Sequence, residues 1–319
     1  MSRNSAIDLA KYIASVFVIA IHTHPFQDIG SFADFVSVGL LCRWAVPFFA
    51  ICTGFYLAKA FGTQQKTKPV WKSLRKVVVM YLGWSFFYLL IHLADWYATD
   101  TLCGEYVFGW FKSLIVSTSY FHLWYLTALI YALPFFAFLI RFVPIKYFVP
   151  AALCLWAIQV ISYAYASYLP FGMIDIEATA FDALFTGVTR LLPLMMMGAW
   201  LSQIDLTKCG ISKLAILFII FFLLMVVEIA FIRNHGGERW SFIFTTLPMS
   251  VALFAVINSM GGVKLTYAHV LARMSMIVYC LHPALIWLLK DYINHSLILF
   301  LTIAVVSTLL SFIWVKVKT

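Results

Sequence analysis

Runs of apolar residues long enough to cross a lipid bilayer recur from one end of the chain to the other, and that feature removes most folds from consideration. A crossing helix needs about 20 consecutive apolar residues, and such runs follow one another here with only short polar breaks. A soluble helix keeps one face in water, whereas these segments are apolar all round. Composition agrees: 64% of residues are hydrophobic and 11% charged, against about 25% charged in soluble domains. The expected fold is an all-α polytopic integral membrane protein, a single transmembrane domain over residues 1–319 with no separate soluble part. Hydropathy puts the spans at about 5–25, 36–61, 72–97, 121–141, 146–168, 183–203, 211–232, 241–260, 268–290 and 296–316. The first run, Ala6 to Pro25, holds Asp8 and Lys11 and lacks a small-residue cleavage site. It therefore reads as a retained first helix rather than a secretory signal.

The connections sort by charge. One alternate set holds Arg3, then Lys59, Lys66, Lys68, Lys72, Arg75 and Lys76, then Arg141 and Lys146, Lys208 and Lys213, Lys264 and Arg273, and Lys316 and Lys318. The other set holds Asp28, Asp34, Asp95, Asp100, Glu105, Asp175, Glu177 and Asp182. Basic connections stay cytoplasmic, so about ten spans with both termini cytoplasmic are expected. The net charge of +9 is then a consequence of topology and gives no reason to expect a nucleic-acid partner. The longest outer connection, 98–120, contains Trp110, Phe111 and Tyr120, aromatics of the kind that mark a membrane interface. A short re-entrant or interfacial helix would suit it.

Charged side chains inside the spans need a reason, since each costs about 2.5–3.5 kcal/mol on insertion scales. The first span carries Asp8, Lys11, Ser15 and His22 at spacings that fall on one helical stripe. Lys11 and His22 are close to three turns apart, about 16 Å along the axis. Asp8 and Lys11 can also be read as an interfacial pair that snorkels. Arg43 lies in the second span, Arg190 in the sixth and Glu228 in the seventh; His122 opens the fourth, and His282 precedes Pro283 in the ninth. With the assigned directions these residues gather in or near the outer half of the membrane, which implies a buried polar cavity. Histidine is the natural general base near neutral pH. Arginine holds anions or stabilises a developing oxyanion. The chain contains no GxSxG, P-loop or HExxH pattern, which leaves serine-hydrolase, nucleotide-driven and zinc-protease chemistry unsupported. Its six cysteines show no CxxC spacing, so neither a disulfide framework nor a metal site is expected.

Four stretches carry a resemblance over essentially the whole chain. They are Ile7-Asp8-x-x-Lys11 with Ile21-His22, Arg43-x-Ala45-Val46-Pro47-Phe48-Phe49 through Gly54-Phe55, Phe121-His122-Leu123-Trp124-Tyr125, and Tyr279-Cys280-Leu281-His282-Pro283. In order and spacing they resemble the integral-membrane acyltransferase-3 proteins, which O-acylate sugars and other envelope acceptors. The resemblance implies that His22 is the catalytic base, with Lys11 standing where the family has an arginine. It also implies that Lys72 and Arg75 correspond to the family's basic pair, again with one lysine, and that Arg43 is the arginine ahead of the Pro-Phe-Phe segment.

Together these readings give an expected function: transfer of an acyl group, most simply acetyl, from cytosolic acyl-CoA to a hydroxyl of an envelope glycan or lipid-linked precursor. Acetyl-CoA would be a co-substrate, with no permanently bound cofactor. Its phosphates would meet Lys72, Arg75, Lys76 and Lys11, and its pantetheine arm would run along the first span to His22. Arg43 or Arg190 would stabilise the oxyanion or anchor the acceptor, with His122, Glu228 and His282 binding or orienting it. The expected location is the bacterial cytoplasmic membrane. Similar modules form the membrane part of vancomycin-resistance serine racemases, so transport of a small polar molecule such as an amino acid is the competing expectation. A non-catalytic membrane partner in glycan assembly is the third.

Overall fold

The computed structural model describes residues 4–64, 66–168, 182–237, 239–261 and 265–317. Among the described residues there is no strand. The main helices are α1 (Ser5–Thr23), α2 (Ala45–Gln64), α3 (Lys68–Ala98), α4 (Gly104–Val116), α5 (Trp124–Phe142), α6 (Phe148–Tyr163), α7 (Leu192–Leu201), α8 (Ile211–Asn234), α9 (Thr246–Ser259), α10 (Ala268–Leu289) and α11 (Ser296–Val317). Nine helical runs among the described residues are long and apolar enough to cross a membrane. The protein is an all-α polytopic membrane protein. Of the charges used to assign sidedness, Arg3, Asp175, Glu177, Lys264 and Lys318 lie outside the described residues. The connection 98–120 contains a helix, the 13-residue α4, which also carries the basic residue Lys112.

The chain forms two compact units interleaved in sequence, one made of Met1–Phe49, Asp205–Glu228 and Pro248–Thr319, the other of Ala50–Ile204 and Ile229–Leu247. In the first unit α1 packs on α10 and α10 on α11, around the buried Ile19, Val278, Leu285 and Ile303. Asn4 caps α1: its side-chain oxygen accepts from the backbone N–H groups of Ala6 and Ile7 at 3.0 and 3.3 Å, the pairing that orphan donors at a helix start require. The helix stops at His24, whose φ of 48° is left-handed and whose backbone N–H bonds back to Ala20. Asp28 caps α11 from 268 positions away, its Oδ2 accepting from the Ser296 N–H at 2.6 Å. Ile216, Ile219, Ile220, Leu223 and Val227 leave α8 apolar and exposed, as a lipid-facing helix is.

In the second unit α3 packs on α5 and α6 on α7, while α2 and α7 cross through two glycines. A methyl group added at Gly54 would sit 1.9 Å from the Met195 carbonyl oxygen, and one added at Gly198 would sit 2.1 Å from that of Ile51. Gly54 belongs to one of the stretches that carried the family resemblance, and here it permits backbones to touch.

The spans expected at 36–61, 183–203 and 241–260 depart from simple helices. Phe35–Leu41 and Thr186–Leu191 are π-helical turns. The span expected at 241–260 becomes helical only at Thr246, and its 14 residues rise about 21 Å of a hydrocarbon core about 30 Å thick. Residues 241–245 are unwound because the unit's interior satisfies them otherwise: the Trp156 indole donates to the Ile243 carbonyl at 3.0 Å. Irregular backbone survives at membrane depth only where protein supplies such partners.

Candidate functional site

In the first unit the unbroken α1 keeps Lys11 and His22 three turns apart, about 16 Å along the axis as expected. Asp8 and Ser15 are buried on this helix, and Lys11 and His22 are half-buried. The His22 ring lies face to face with His282, centroids 5.3 Å apart and planes 24° apart. His282 is fully buried, and its Nδ1 donates to the Val278 carbonyl at 3.3 Å. That bond puts the proton on Nδ1 and makes Nε2 the acceptor nitrogen of the neutral ring. His282 thus gives His22 an oriented planar partner at the end of the α1–α10 interface.

Arg43 follows the first π-helical turn, and its Nε donates to the Gly39 carbonyl at 2.9 Å. That bond aims the side chain back along the turn while leaving the terminal guanidinium nitrogens to other partners. Glu228 is half-buried on α8 in the same unit.

His122 and Arg190 belong to the second unit. Arg190 lies within the second π-helical turn, 8% exposed. Its guanidinium carbon is 4.3 Å from the ring centroid of Phe242, 5.1 Å from Tyr163 and 5.3 Å from Trp124. Rings at this range attract a desolvated cation by about 2 kcal/mol. The unwound segment before α9 is what delivers Phe242 to the guanidinium. The turn itself is pinned: Thr189 Oγ1 lies 2.7 Å from Gln159 Oε1, and Gly187 passes so close to α5 that an added methyl would sit 2.5 Å from the Ala128 carbonyl oxygen. Arg190 lines a cavity of about 250 Å³ with Asp182, Ser117, Thr118, Thr186 and Trp124. His122 is buried and does not line that cavity; its ring meets Tyr88 edge-on at 4.9 Å.

The expected donor-binding residues Lys72, Arg75 and Lys76 are exposed on the first turns of α3. Beside them, sequence reasoning missed a groove of about 830 Å³ lined by Lys66, Lys68, Trp71, Phe138, Arg141 and Phe142. Its charges had counted only toward topology, and nothing in the spacing links residues 66–71 to 134–142. Lys11 lies in the other unit. Among the described residues no group of three His, Cys, Asp or Glu side chains is placed to hold a metal ion.

A family model described as an acyltransferase domain, that of acyltransferase-3, matches residues 4–316. The chain is also 26% identical over 333 aligned positions to an amino-acid racemase of Enterococcus faecalis, covering 99% of this chain and 46% of that protein. It is 25% identical over 331 positions to a serine/alanine racemase of Enterococcus gallinarum, covering 94% of this chain and 45% of that protein. The chain therefore spans less than half the length of these curated relatives. No solved structure matches it significantly.

Proposed function

Because the chain belongs to the acyltransferase-3 family of membrane proteins, we propose that it transfers an acyl group, acetyl in the leading form, from acyl-CoA to a hydroxyl of an envelope glycan or its lipid-linked precursor. The proposed setting is the bacterial cytoplasmic membrane. The observation that carries this reading is the histidine pair, His22 stacked on the buried His282 at 5.3 Å, on the helix that bears Lys11 three turns away. A half-buried imidazole held in one orientation is what a general base for a hydroxyl requires.

In this mechanism the acceptor oxygen bonds to the thioester carbonyl carbon while His22 takes the hydroxyl proton. Arg43 meets the charge that develops on the carbonyl oxygen. The carbon–sulfur bond then breaks, and the proton on His22 passes to the departing sulfur. The basic face formed by Lys72, Arg75 and Lys76, with Lys66, Lys68 and Arg141 around the groove, suits the donor's phosphates. Arg190, Glu228 and His122 bind or orient the acceptor. The test is to incubate purified protein with radiolabelled acetyl-CoA and a cell-envelope extract. Label should enter glycan with the parent protein and fall about 10²–10⁴-fold with folded His22→Ala. Transfer by that variant at the parent rate would remove His22 from the mechanism.

One observation favours a second reading. Arg190 and Asp182 line the same cavity of about 250 Å³, so a small zwitterion could place its carboxylate and ammonium on opposite charges. Since the matched relatives are named racemases of amino acids, serine or alanine would be the solute carried. Uptake of labelled serine into vesicles without any acyl donor, abolished by Arg190→Ala, would favour transport over transfer.

A further inference from the structure

The second unit carries another cavity, at the opposite end of α3 from the basic groove. It measures about 620 Å³, and Trp96, Tyr106, Trp110, Tyr120, Phe121 and His92 form its aromatic walls. Ser119 is held from outside the cleft, its hydroxyl 2.6 Å from that of Ser85 and its backbone N–H donating to the Tyr81 hydroxyl at 3.3 Å. The rings form a continuous set, with His92 stacked on Trp96 at 5.4 Å, Trp96 near Tyr106 at 5.8 Å and His92 near Tyr120 at 5.1 Å. Polar groups interrupt them: Ser113, Thr118, Ser119 and the carboxylate of Glu105 also line the cleft.

Two donor–acceptor details bear on what fits. The His92 Nε2 donates to the Ser119 carbonyl at 3.2 Å, so its Nδ1 is the acceptor nitrogen of the neutral ring. Trp110 is 5% exposed, and its indole N–H has no hydrogen-bond partner among the described residues. That nitrogen presents almost no surface to the cleft, so Trp110 contributes its ring there and the imidazole contributes the acceptor.

We propose that this cleft binds an uncharged pyranose saccharide, as the acceptor subsite of the reaction proposed above, on which this inference rests. A pyranose ring has an apolar C–H face that lies on aromatic rings and a rim of hydroxyls that needs donors and acceptors. The cleft offers both. An anionic lipid headgroup would meet the Glu105 carboxylate, and an acyl chain has no use for the hydroxyls and the imidazole. The cleft adjoins the Arg190 cavity, the two having Thr118 and Phe121 in common.

The experiment uses the full chain in phosphatidylcholine nanodiscs, with the β-1,4-linked trimer of N-acetylglucosamine as probe and tryptophan fluorescence as readout. The trimer should give a saturable change with a Kd on the order of 1 mM. Binding should weaken roughly tenfold in Trp96→Ala and in Tyr106→Ala and recover in Trp96→Phe, which keeps a ring face. Absence of saturable binding, or equal binding by the alanine variants, overturns the proposal. So does a Trp96-dependent change caused by phosphatidylglycerol instead of the trimer, since the cleft would then seat a lipid. Acyl transfer with an unchanged acceptor KM in both alanine variants would sink the cleft and leave the enzyme reading standing. Trimer binding by a protein that transfers no acyl group would do the reverse.

Discussion

The crossing of α2 and α7 offers the sharpest quantitative test, because the perturbation is one methyl group and the obstacle is backbone. An alanine at Gly54 would put its Cβ 1.9 Å from the Met195 carbonyl oxygen, with the Met195 carbonyl carbon and Cα also within 2.6 Å. That is about 1.5 Å short of the 3.4 Å at which ordinary contact begins, and no rotamer change can relieve it. The helices must part along a face where Ala50, Ile51, Phe55, Leu194, Met195 and Ala199 are each no more than 2% exposed. Opening a packed face by 0.5–1 Å already forfeits a quarter to a half of each contact's dispersion energy. Overpacking costs about 1–3 kcal/mol in ordinary cores, and this geometry calls for the upper end, about 3 kcal/mol, or roughly a 100-fold shift in the folding equilibrium. Gly198→Ala meets the Ile51 carbonyl oxygen at 2.1 Å across the same crossing and should cost about as much. Since one separation of the helices accommodates both methyls, the double variant should fall short of additivity by about 1–3 kcal/mol. Reversible unfolding of the four proteins in mixed micelles reads all three quantities. Singles within about 0.5 kcal/mol of the parent, or a double equal to the sum of the singles, would refute the reasoning.

Other outcomes follow from the same geometry. His282→Ala should lower kcat with KM for the donor nearly unchanged, by less than His22→Ala does, and His282→Phe should restore part of the loss by restoring a ring face; an equal loss in KM would make His282 a binding residue. Phe242→Ala removes the ring nearest Arg190, 4.3 Å away, from a buried position, and should cost about 3–5 kcal/mol of stability from the cavity and the lost cation–π contact together, read by thermal unfolding, whereas Arg190→Lys should lose the planar stacking and fail to substitute. Asp28 has its carboxyl held below the usual range by the Ser296 backbone N–H and then by the Ser296 hydroxyl, with the nearby His295 contributing last and burial opposing them. A depressed carboxylate contributes stability that is present above its unfolded value near 3.9 and is lost as pH falls through the lower folded value. Melting temperature should therefore drop more steeply below about pH 4 in the parent than in Asp28→Asn, which keeps the cap and loses the charge; identical profiles would show that Asp28 does not carry this dependence.

How much of this was legible in the sequence depends on the kind of signal each feature leaves. The spans were legible because twenty apolar residues are a local property, and α1, α8, α10 and α11 begin and end within a few residues of the expected places. His22, Arg43, Arg190 and His282 stood out because a polar side chain in an apolar run is conspicuous. Their partners did not stand out. Trp124, Tyr163 and Phe242 surround Arg190, but aromatics make up 18% of the chain, so three more in apolar surroundings carry no mark. The stacking of His22 on His282 joins residues 260 positions apart, and periodicity is silent at that range.

The misplaced boundary before α9 is the most instructive departure. Trp240 to Thr246 is as apolar and aromatic as a helix start in a membrane, so local pattern extends the span there. The chain leaves the helix because Trp156 satisfies the Ile243 carbonyl and Phe242 covers the Arg190 guanidinium, both tertiary facts. The two π-helical turns have the same origin: one precedes Arg43 and the other contains Arg190. A π turn displaces side chains by about one position relative to the α-helical register, and at both places an arginine is the residue re-aimed. The irregular backbone and the intramembrane charges therefore coincide because each stabilises the other. The charge needs aromatic and carbonyl partners that a straight helix would not deliver, and the broken helix needs a polar interior to satisfy its carbonyls. Replacing Arg190 by leucine should accordingly do more than remove a charge: protection of the Phe242–Thr246 amides from hydrogen exchange should change with it, and an unchanged exchange pattern would separate the two features.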